Sequence, residues 1–404
     1  MKCVVVVGDG MADEPIAELG GKTPLEVART PNLDRMAARG ILGLTRTLSA
    51  AELPAGDIAS LAILGYDPAR YRAGCGAFEA AGRDVSLGSG DVAFRLNLVT
   101  LERREDDGTL VLADFAGGRP STEEARIVVG DLATALAGDG IEVYAGLGYR
   151  HLLVWRGGEP GVRTTAPHAI VGQPVAPALP VGPGAERVRA VMDRAAEVMR
   201  AHPVCEARRA RGERAPNAIW LWGQGTRRSL PALRDRFGVE GAVVAAVDLV
   251  RGLGKLAGLA VIDVPGATGQ LDTNFRGKAE HGLQALEGCD FLFLHVAAPD
   301  ECGHLGDAQQ KIAAIERIDE DVLGPLLDGL RARGGEWRVM VMADHPTPCG
   351  RRTHTADPVP FAVYVAAHEA KITAQKRGYH ERDAREQGIF VPEAHTLLER
   401  LLRV

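Results

Sequence analysis

No apolar run in this chain approaches the roughly 18 residues needed to cross a bilayer. A membrane-spanning helix is therefore not expected. Positive charge is not in excess either. Lys and Arg total 47 against 53 Asp and Glu, for a net charge of −6. This balance argues against a nucleic-acid groove or a basic membrane-facing surface. Cysteine is sparse and unpatterned: Cys3, Cys75, Cys205, Cys289, Cys302 and Cys349 show no CxxC spacing. Such a set reads as reduced cytosolic thiols, not as disulfide staples or a zinc knot. There is no internal repeat and no low-complexity tail. The opening stretch Met1–Val7 is short and β-branched, lacks a small-residue cleavage site, and reads as a buried strand. A cytoplasmic protein is expected.

What remains is ordinary globular composition, 46% hydrophobic and 25% charged over 404 residues. That length suits one large domain plus a smaller one. Apolar runs alternate with amphipathic stretches, which is the α/β pattern. The clearest strands are Cys3–Val7, Phe291–Val296 and Val339–Ala343, dense enough in apolar residues to be covered on both faces. Lys311–Leu330 has helical periodicity, with Gly324 and Pro325 marking a bend or break. Glu186–Arg200 reads as a helix, and the Pro/Gly-rich run Pro174–Gly184 before it as a linker. Asp91–Thr100 and Gly146–Trp155 read as half-buried strands flanking a helix over Thr122–Leu136. The expected organisation is a split core, residues 1–90 and 177–404, with an inserted lid domain over 91–176.

Each of the three clear strands ends within a few residues in an acid: Asp9, Asp300 and Asp344. Ligands of open α/β sheets bind beyond the carboxyl ends of the strands, so three acids delivered there can share one crevice. One such acid alone is more often a helix cap. Histidines shift the balance. Asp300 and His304 are four apart, on one face of a helical turn. His345 adjoins Asp344, and His354 follows on a polar loop. Three Asp with three His make a mixed oxygen and nitrogen set that suits Zn²⁺ or Mn²⁺ better than Ca²⁺. His168, His202, His281, His368, His380 and His395 read as ordinary surface or core histidines. Two metals close together would clamp a phosphoryl group. Candidate partners for its substrate are Asp272, Asn274, Arg276 and Lys278 in Gly269–Lys278, with Arg95 and Arg150 from the lid.

At this point the residues resemble a family, the archaeal-type cofactor-independent phosphoglycerate mutases of the alkaline phosphatase superfamily. The likeness runs nearly end to end. It includes GDGMAD at Gly8–Asp13, TPNLD at Thr30–Asp34, LGYDP at Leu64–Pro68, DVAFRLNLVT at Asp91–Thr100 and STEEA at Ser121–Ala125. It continues with YRHLLVW at Tyr149–Trp155, NAIWLWGQG at Asn217–Gly225 and VPGATGQLDTN at Val264–Asn274. It closes with APDECGHLGD at Ala298–Asp307, DHPTP at Asp344–Pro348 and RTHTADPVPF at Arg352–Phe361. The resemblance implies an alkaline-phosphatase-like α/β core, with a mostly parallel sheet between helices and a smaller inserted α+β lid. It also implies two divalent ions, Mn²⁺ or Zn²⁺ with Mg²⁺ as an alternative, and no organic cofactor. One ion would take Asp300, His304 and His354. The other would take Asp9, Asp344, His345 and a nucleophilic Ser that carries the phosphoryl group.

Here the sequence departs from the pattern. The nucleophile segment reads Leu53-Pro54-Ala55-Gly56-Asp57-Ile58-Ala59-Ser60, which puts Gly56 at the Ser position and Ser60 where the family usually has a phosphate-binding Asn. Cys75 stands where an Arg is usual, and Gly148 where a Ser is more usual. Glycine has no side chain to phosphorylate. The expected function is therefore two-metal processing of a small phosphorylated or phosphonylated acid by altered chemistry. Hydrolysis by a metal-activated water, direct transfer to a substrate hydroxyl or carboxylate, and substitution by Ser60 are the catalytic options. Homoserine-kinase-like and phosphonate-metabolism enzymes are related alternatives, and a silent binding or regulatory homologue is the alternative of another class. A homo-oligomer is compatible with the sequence.

Overall fold

The structure, a computed structural model, describes residues 1–49, 51 and 56–403. Leu53, Pro54 and Ala55 of the nucleophile segment lie outside the described residues. The chain forms two compact units, Met1–Arg72 with Ser229–Val404, and Ala73–Arg228. Strands run in chain order β1 Lys2–Gly8, β2 Ile41–Thr45, β3 Val92–Arg103, β4 Leu110–Asp114, β5 Ile141–Tyr144, β6 Arg150–Trp155 and β7 Ala218–Thr226. They continue with β8 Gly241–Val244, β9 Ala260–Ile262, β10 Phe291–Val296, β11 Trp337–Ala343, β12 Val359–Val365 and β13 Phe390–Val391.

The first unit holds one eight-stranded sheet, ordered β13-β2-β12-β11-β1-β10-β8-β9. It is mostly parallel, with β12 antiparallel to both neighbours. The centre is formed by β10, β1 and β11. Cys3–Val7 and Phe291–Val296 are buried along their whole length. A strand covered by helices on both faces has no solvent side to alternate with, so its sequence reads as a continuous apolar run. The segment after β10 is helical over Ala298–Leu305. Lys311–Leu330 lies within a continuous helical path: an α-helix Ala308–Arg317, a π-helical turn Ile318–Leu323, and an α-helix Gly324–Arg333. Pro325 sits in the first turn of that last helix, where its missing N–H costs nothing, so the chain widens instead of breaking.

The second unit is an antiparallel sheet, β4-β3-β6-β5, with β7 paired to β3. A capping box between Ser121 and Glu124 opens its helix Thr122–Leu136, and a second helix spans Ala185–Arg200. Its limits differ from the expected 91–176. β7 pairs along β3 from Val99↔Ala218 to Val92↔Thr226, which draws residues up to 228 into this unit. The presumed linker is also built in. Pro174 bridges Val111, Val181 bridges Arg163, and Ala176–Ala178 makes a 3₁₀ turn. Pro and Gly density marks turns, and a turn inside a packed unit has the same local composition as a linker.

Candidate metal centre

Strand register places the cluster. Val7 lies beside His295 on β10 and beside Met342 on β11. Side chains two residues apart leave the same face of a strand. Asp9 and Asp344, each two past that row, therefore emerge on the face that His295 occupies. Asp300 and His304 follow on one side of the helix Ala298–Leu305. His345 adjoins Asp344, and His354 arrives from the loop before β12. Asp300, His304, Asp344, His345 and His295 are all buried.

The turn after β1 needs Gly10. Its φ is +62°, and a Cβ there would lie 2.6 Å from Thr347 Oγ1 and 2.7 Å from Asp300 Cα. Gly10 N donates to Asp344 Oδ1 at 2.9 Å, as does His345 N. Lys311, fully buried, ties the two loops together. Its Nζ donates to Asp13 Oδ2 at 2.7 Å, Thr347 O at 2.9 Å and Ala12 O at 3.1 Å. Cys349 N also donates to the Asp13 carboxylate.

Hydrogen bonds at the outer nitrogens set the imidazole tautomers. Arg352 O can only accept, so His304 Nδ1, 2.9 Å away, carries the proton and Nε2 faces inward bare. Thr347 Oγ1 donates to Asp300 Oδ1 at 2.6 Å and lies 3.2 Å from His345 Nδ1, which orients that ring likewise. Inside, acceptors crowd acceptors. His304 Nε2 is 3.2 Å from His354 Nε2 and 3.4 Å from Asp300 Oδ2, while His354 Nε2 is 3.4 Å from Asp300 Oδ1. His345 Nε2 is 3.4 Å from both Asp9 Oδ1 and Asp344 Oδ2. The His345 and His354 rings stack with centroids 3.8 Å apart. Three sets of ligand atoms, Asp300/His304/His354, Asp9/His295/Asp344 and Asp9/Asp300/His345, each lie within 4.8 Å of one another.

Burial dominates the electrostatics. It pushes His295, His345 and His354 down to about 4, so each imidazole is neutral at pH 7. Burial also acts on His304 and Asp300, but their mutual attraction outweighs it, raising His304 and holding Asp300 well below the usual carboxylate range. Asp344 is raised by burial. Imidazoles set against carboxylates, with the outer nitrogens of His304 and His345 hydrogen-bonded, are the donor arrangement of a divalent metal site.

The other expected site residues divide. Lys278 is fully buried, donates to His295 O at 3.3 Å, and is pushed by burial down to about 8. Gly56 opens the helix Gly56–Ile63, and Ser60 lies one turn along it, buried. Among the described residues, a Cβ on Gly56 would have one neighbour within 4 Å, His345 Nε2 at 3.9 Å. Asn274 caps the helix Phe275–Ala285, accepting from Gly277 N at 2.8 Å and donating to Pro265 O at 2.9 Å. Asp272 accepts from Thr268 Oγ1 at 2.6 Å within the same loop. Arg276 faces solvent and pairs with Glu280 one turn on. These three side chains serve the loop and helix that bear them. In the other unit, Arg95 pairs with buried Glu79 and lies over the Trp222 ring, 5.0 Å from its centroid. Arg150 lies 4.8 Å from the Tyr149 ring centroid, and Cys75 is a buried residue opening the helix Cys75–Gly82.

Two residues in the centre are absent from the sequence-derived set. His295 has a usable signal, a lone histidine inside the apolar strand run Phe291–Val296, five residues before Asp300. Lys311 has none, since a lysine at a helix start is ordinarily solvated.

The chain is 45% identical over 402 residues to a probable 2,3-bisphosphoglycerate-independent phosphoglycerate mutase of Geobacter sulfurreducens, covering all of both chains. The chain belongs to the 2,3-bisphosphoglycerate-independent phosphoglycerate mutase family. The family model matches residues 37–205. A second mutase of this name, from Methanothermobacter thermautotrophicus, is 47% identical over 99% of this chain and 96% of its own. Among solved structures, a Pyrococcus horikoshii protein superposes with a TM-score of 0.77 at 30% identity, covering 99% of this chain and 97% of its own. The cofactor-independent phosphoglycerate mutase from Thermoplasma acidophilum gives 0.56 at 25% identity, over 100% of this chain and 99% of its own. Membership of the mutase family carries the α/β fold with its large, mostly parallel sheet. No helix among the described residues is long and apolar enough to cross a membrane.

Proposed function

We propose that this chain is a two-cation enzyme that processes the phosphoryl group of a small phosphorylated or phosphonylated carboxylic acid, without passing it through a side chain at position 56. The relatives' names supply the substrate class, because phosphoglycerate is such an acid. Asp300, His304 and His354 would hold one cation, and Asp9, Asp344 and His345 the other. Their mix of carboxylate oxygens and neutral imidazole nitrogens fits Mn²⁺ or Zn²⁺. When bound, two such ions neutralise charge on a phosphoryl group and on the oxygens it moves between. The chain's own groups hold that arrangement rigid: Gly10 N and His345 N fix Asp344, Thr347 fixes Asp300, and Arg352 O fixes His304. Lys278 sits against His295 O, and although burial lowers its amine to about 8 it stays mostly charged at pH 7, which puts positive charge near the strand ends.

The observation that carries the reading is Gly56. The nucleophile segment of the resembling family falls on this residue, and the position of its missing Cβ is 3.9 Å from His345 Nε2. A serine there would point its hydroxyl into the cluster. A glycine leaves the place to a water or a substrate hydroxyl as acceptor, so hydrolysis or direct transfer replaces a two-step relay. Ser60, a turn away along the helix, would have to bridge about 6 Å of rise. Six free cysteines suit a reducing compartment, and we place the enzyme in the cytoplasm.

The test is an assay of 3-phosphoglycerate to 2-phosphoglycerate conversion alongside phosphate release. Wild type is expected to lack mutase turnover and Gly56→Ser to gain it, since the added Cβ meets only ordinary van der Waals contact. Robust mutase turnover by the wild type would overturn the reading.

A further inference from the structure

We infer that His295 is a ligand of the second cation, entering that site from β10 beside Asp9 and Asp344. The inference rests on the two-cation reading and adds a donor that reading does not contain. Strand register supplies the first support. His295 stands beside Val7, so its ring leaves the sheet on the face from which Asp9 emerges two residues later. Distance supplies the second. His295 Nε2 is 3.3 Å from Asp9 Oδ2, and the ligand atoms of Asp9, His295 and Asp344 all fall within 4.8 Å of one another.

The third support is the state of the ring. His295 is 1% exposed, and its Nδ1 has no partner among the described residues. A structural core histidine is usually held at both nitrogens. His202 is an example here, with Nε2 3.1 Å from Asp131 Oδ2 and Nδ1 accepting from Val204 N at 3.2 Å. His295 has no such purchase on the fold. Lys278 bonds only its backbone carbonyl. Nε2 is the nitrogen that faces the two carboxylates, and a cation set between them and the ring turns that crowding into coordination, with the proton on Nδ1. The chemistry also needs another donor. With glycine at position 56 the second cation keeps three side-chain ligands, Asp9, Asp344 and His345, whereas a four-coordinate site takes four. His295 completes a set of two oxygens and two nitrogens, which favours Zn²⁺ over Mg²⁺.

The experiment is a titration of chelator-stripped full-length protein with Mn²⁺, with free ion read by electron paramagnetic resonance. Wild type is expected to bind two ions, and His295→Gln to keep one site while the other weakens by more than about 100-fold, beyond the usual loss from an outer-sphere partner. Circular dichroism and thermal melting check that the variant folds. His295→Cys separates a ligand from a neighbour. Loaded with Co²⁺, it is expected to show a thiolate-to-metal charge-transfer band that the Co²⁺-loaded wild type lacks. Two full-affinity sites in His295→Gln, or no new band in His295→Cys, would overturn the assignment while leaving the two-cation reading intact. Fewer than two ions bound by wild type would overturn both.

Discussion

In the inserted unit, charged side chains that leave solvent do so in opposite-sign pairs. Arg95 meets Glu79, Arg208 meets Glu124 at 2.6 Å, and Arg156 meets Asp91 at 2.7 Å. Each pair is satisfied by the fold itself. At the strand ends of the other unit, carboxylate faces imidazole and imidazole faces imidazole, with the outer nitrogens of His304 and His345 hydrogen-bonded. Lys311 reaches into the loops there, and the carboxylate it bonds is that of Asp13 and not a cluster acid. Completed pairs are structure. An excess of acceptors that the fold has deliberately oriented is a place for a cation, because burying it otherwise is costly.

The largest effect that tests this contrast is expected from Asp300→Ala. It removes a carboxylate shared by two of the three ligand sets. Phosphoryl-processing activity should fall by at least about a thousandfold, exceeding the roughly 10–100-fold lost with an outer-sphere partner. Activity within a few fold of wild type would break the distinction between the units.

Acid denaturation gives the next effect. His295, His345 and His354 have folded values of about 4, below the ordinary 6.5, and burial takes His151 in the other unit down to about 3. The unfolded chain therefore binds more protons as pH falls below 6.5. Stability present above that pH is lost as pH drops toward 4, by about 1.4 kcal/mol per pH unit for each imidazole. His304, raised by Asp300, works in the opposite sense. Urea melts from pH 7 to 5 with chelator should be steep. Saturating Mn²⁺ should raise stability across this range without flattening the slope, because coordination keeps the cluster imidazoles deprotonated in the folded state, as their low values already do. Equal stability at pH 7 with and without the ion would show that the cluster is not its site.

Arg95→Ala should destabilise the protein by about 3 kcal/mol, since it removes the arginine that pairs with buried Glu79. Replacing Glu79 by Gln in the same chain should recover part of that loss. A raised KM with an unchanged melting temperature would instead return Arg95 to the substrate. Arg276→Ala should be the quietest. Its pair with Glu280 is exposed, and the change in stability should stay within about 0.5 kcal/mol with KM unaltered.

Much of the centre was legible before the fold. Asp9, Asp300 and Asp344 announce themselves as acids closing apolar runs. Asp300 and His304 share a face because a helix repeats every 3.6 residues. His295 was masked by its strand, where one polar residue in six passes for core. The surroundings of the arginines were hidden for a different reason. Arg276 and Arg95 carry the same charge and the same appeal to an anionic substrate, yet one faces water and the other is matched by Glu79, and neither partner is implied by the arginine itself. The insert's limits were hidden because β7 joins β3 across more than a hundred residues of chain.

By itself the sequence indicated the three central strands, the helices near Thr122–Leu136 and Glu186–Arg200, the family, the acids and most of the histidines of the cluster, and the glycine at position 56. Each is a matter of residue type and short-range periodicity, which the backbone imposes on any chain carrying that pattern. Only the tertiary structure decided that His295 stands in the row of Asp9 and Asp344, that Lys311 ties their loops together, and that Asn274, Arg276 and Arg95 serve the fold. Those outcomes depend on which partners packing brings together, and a side chain's chemistry leaves that choice open until the strands are in register.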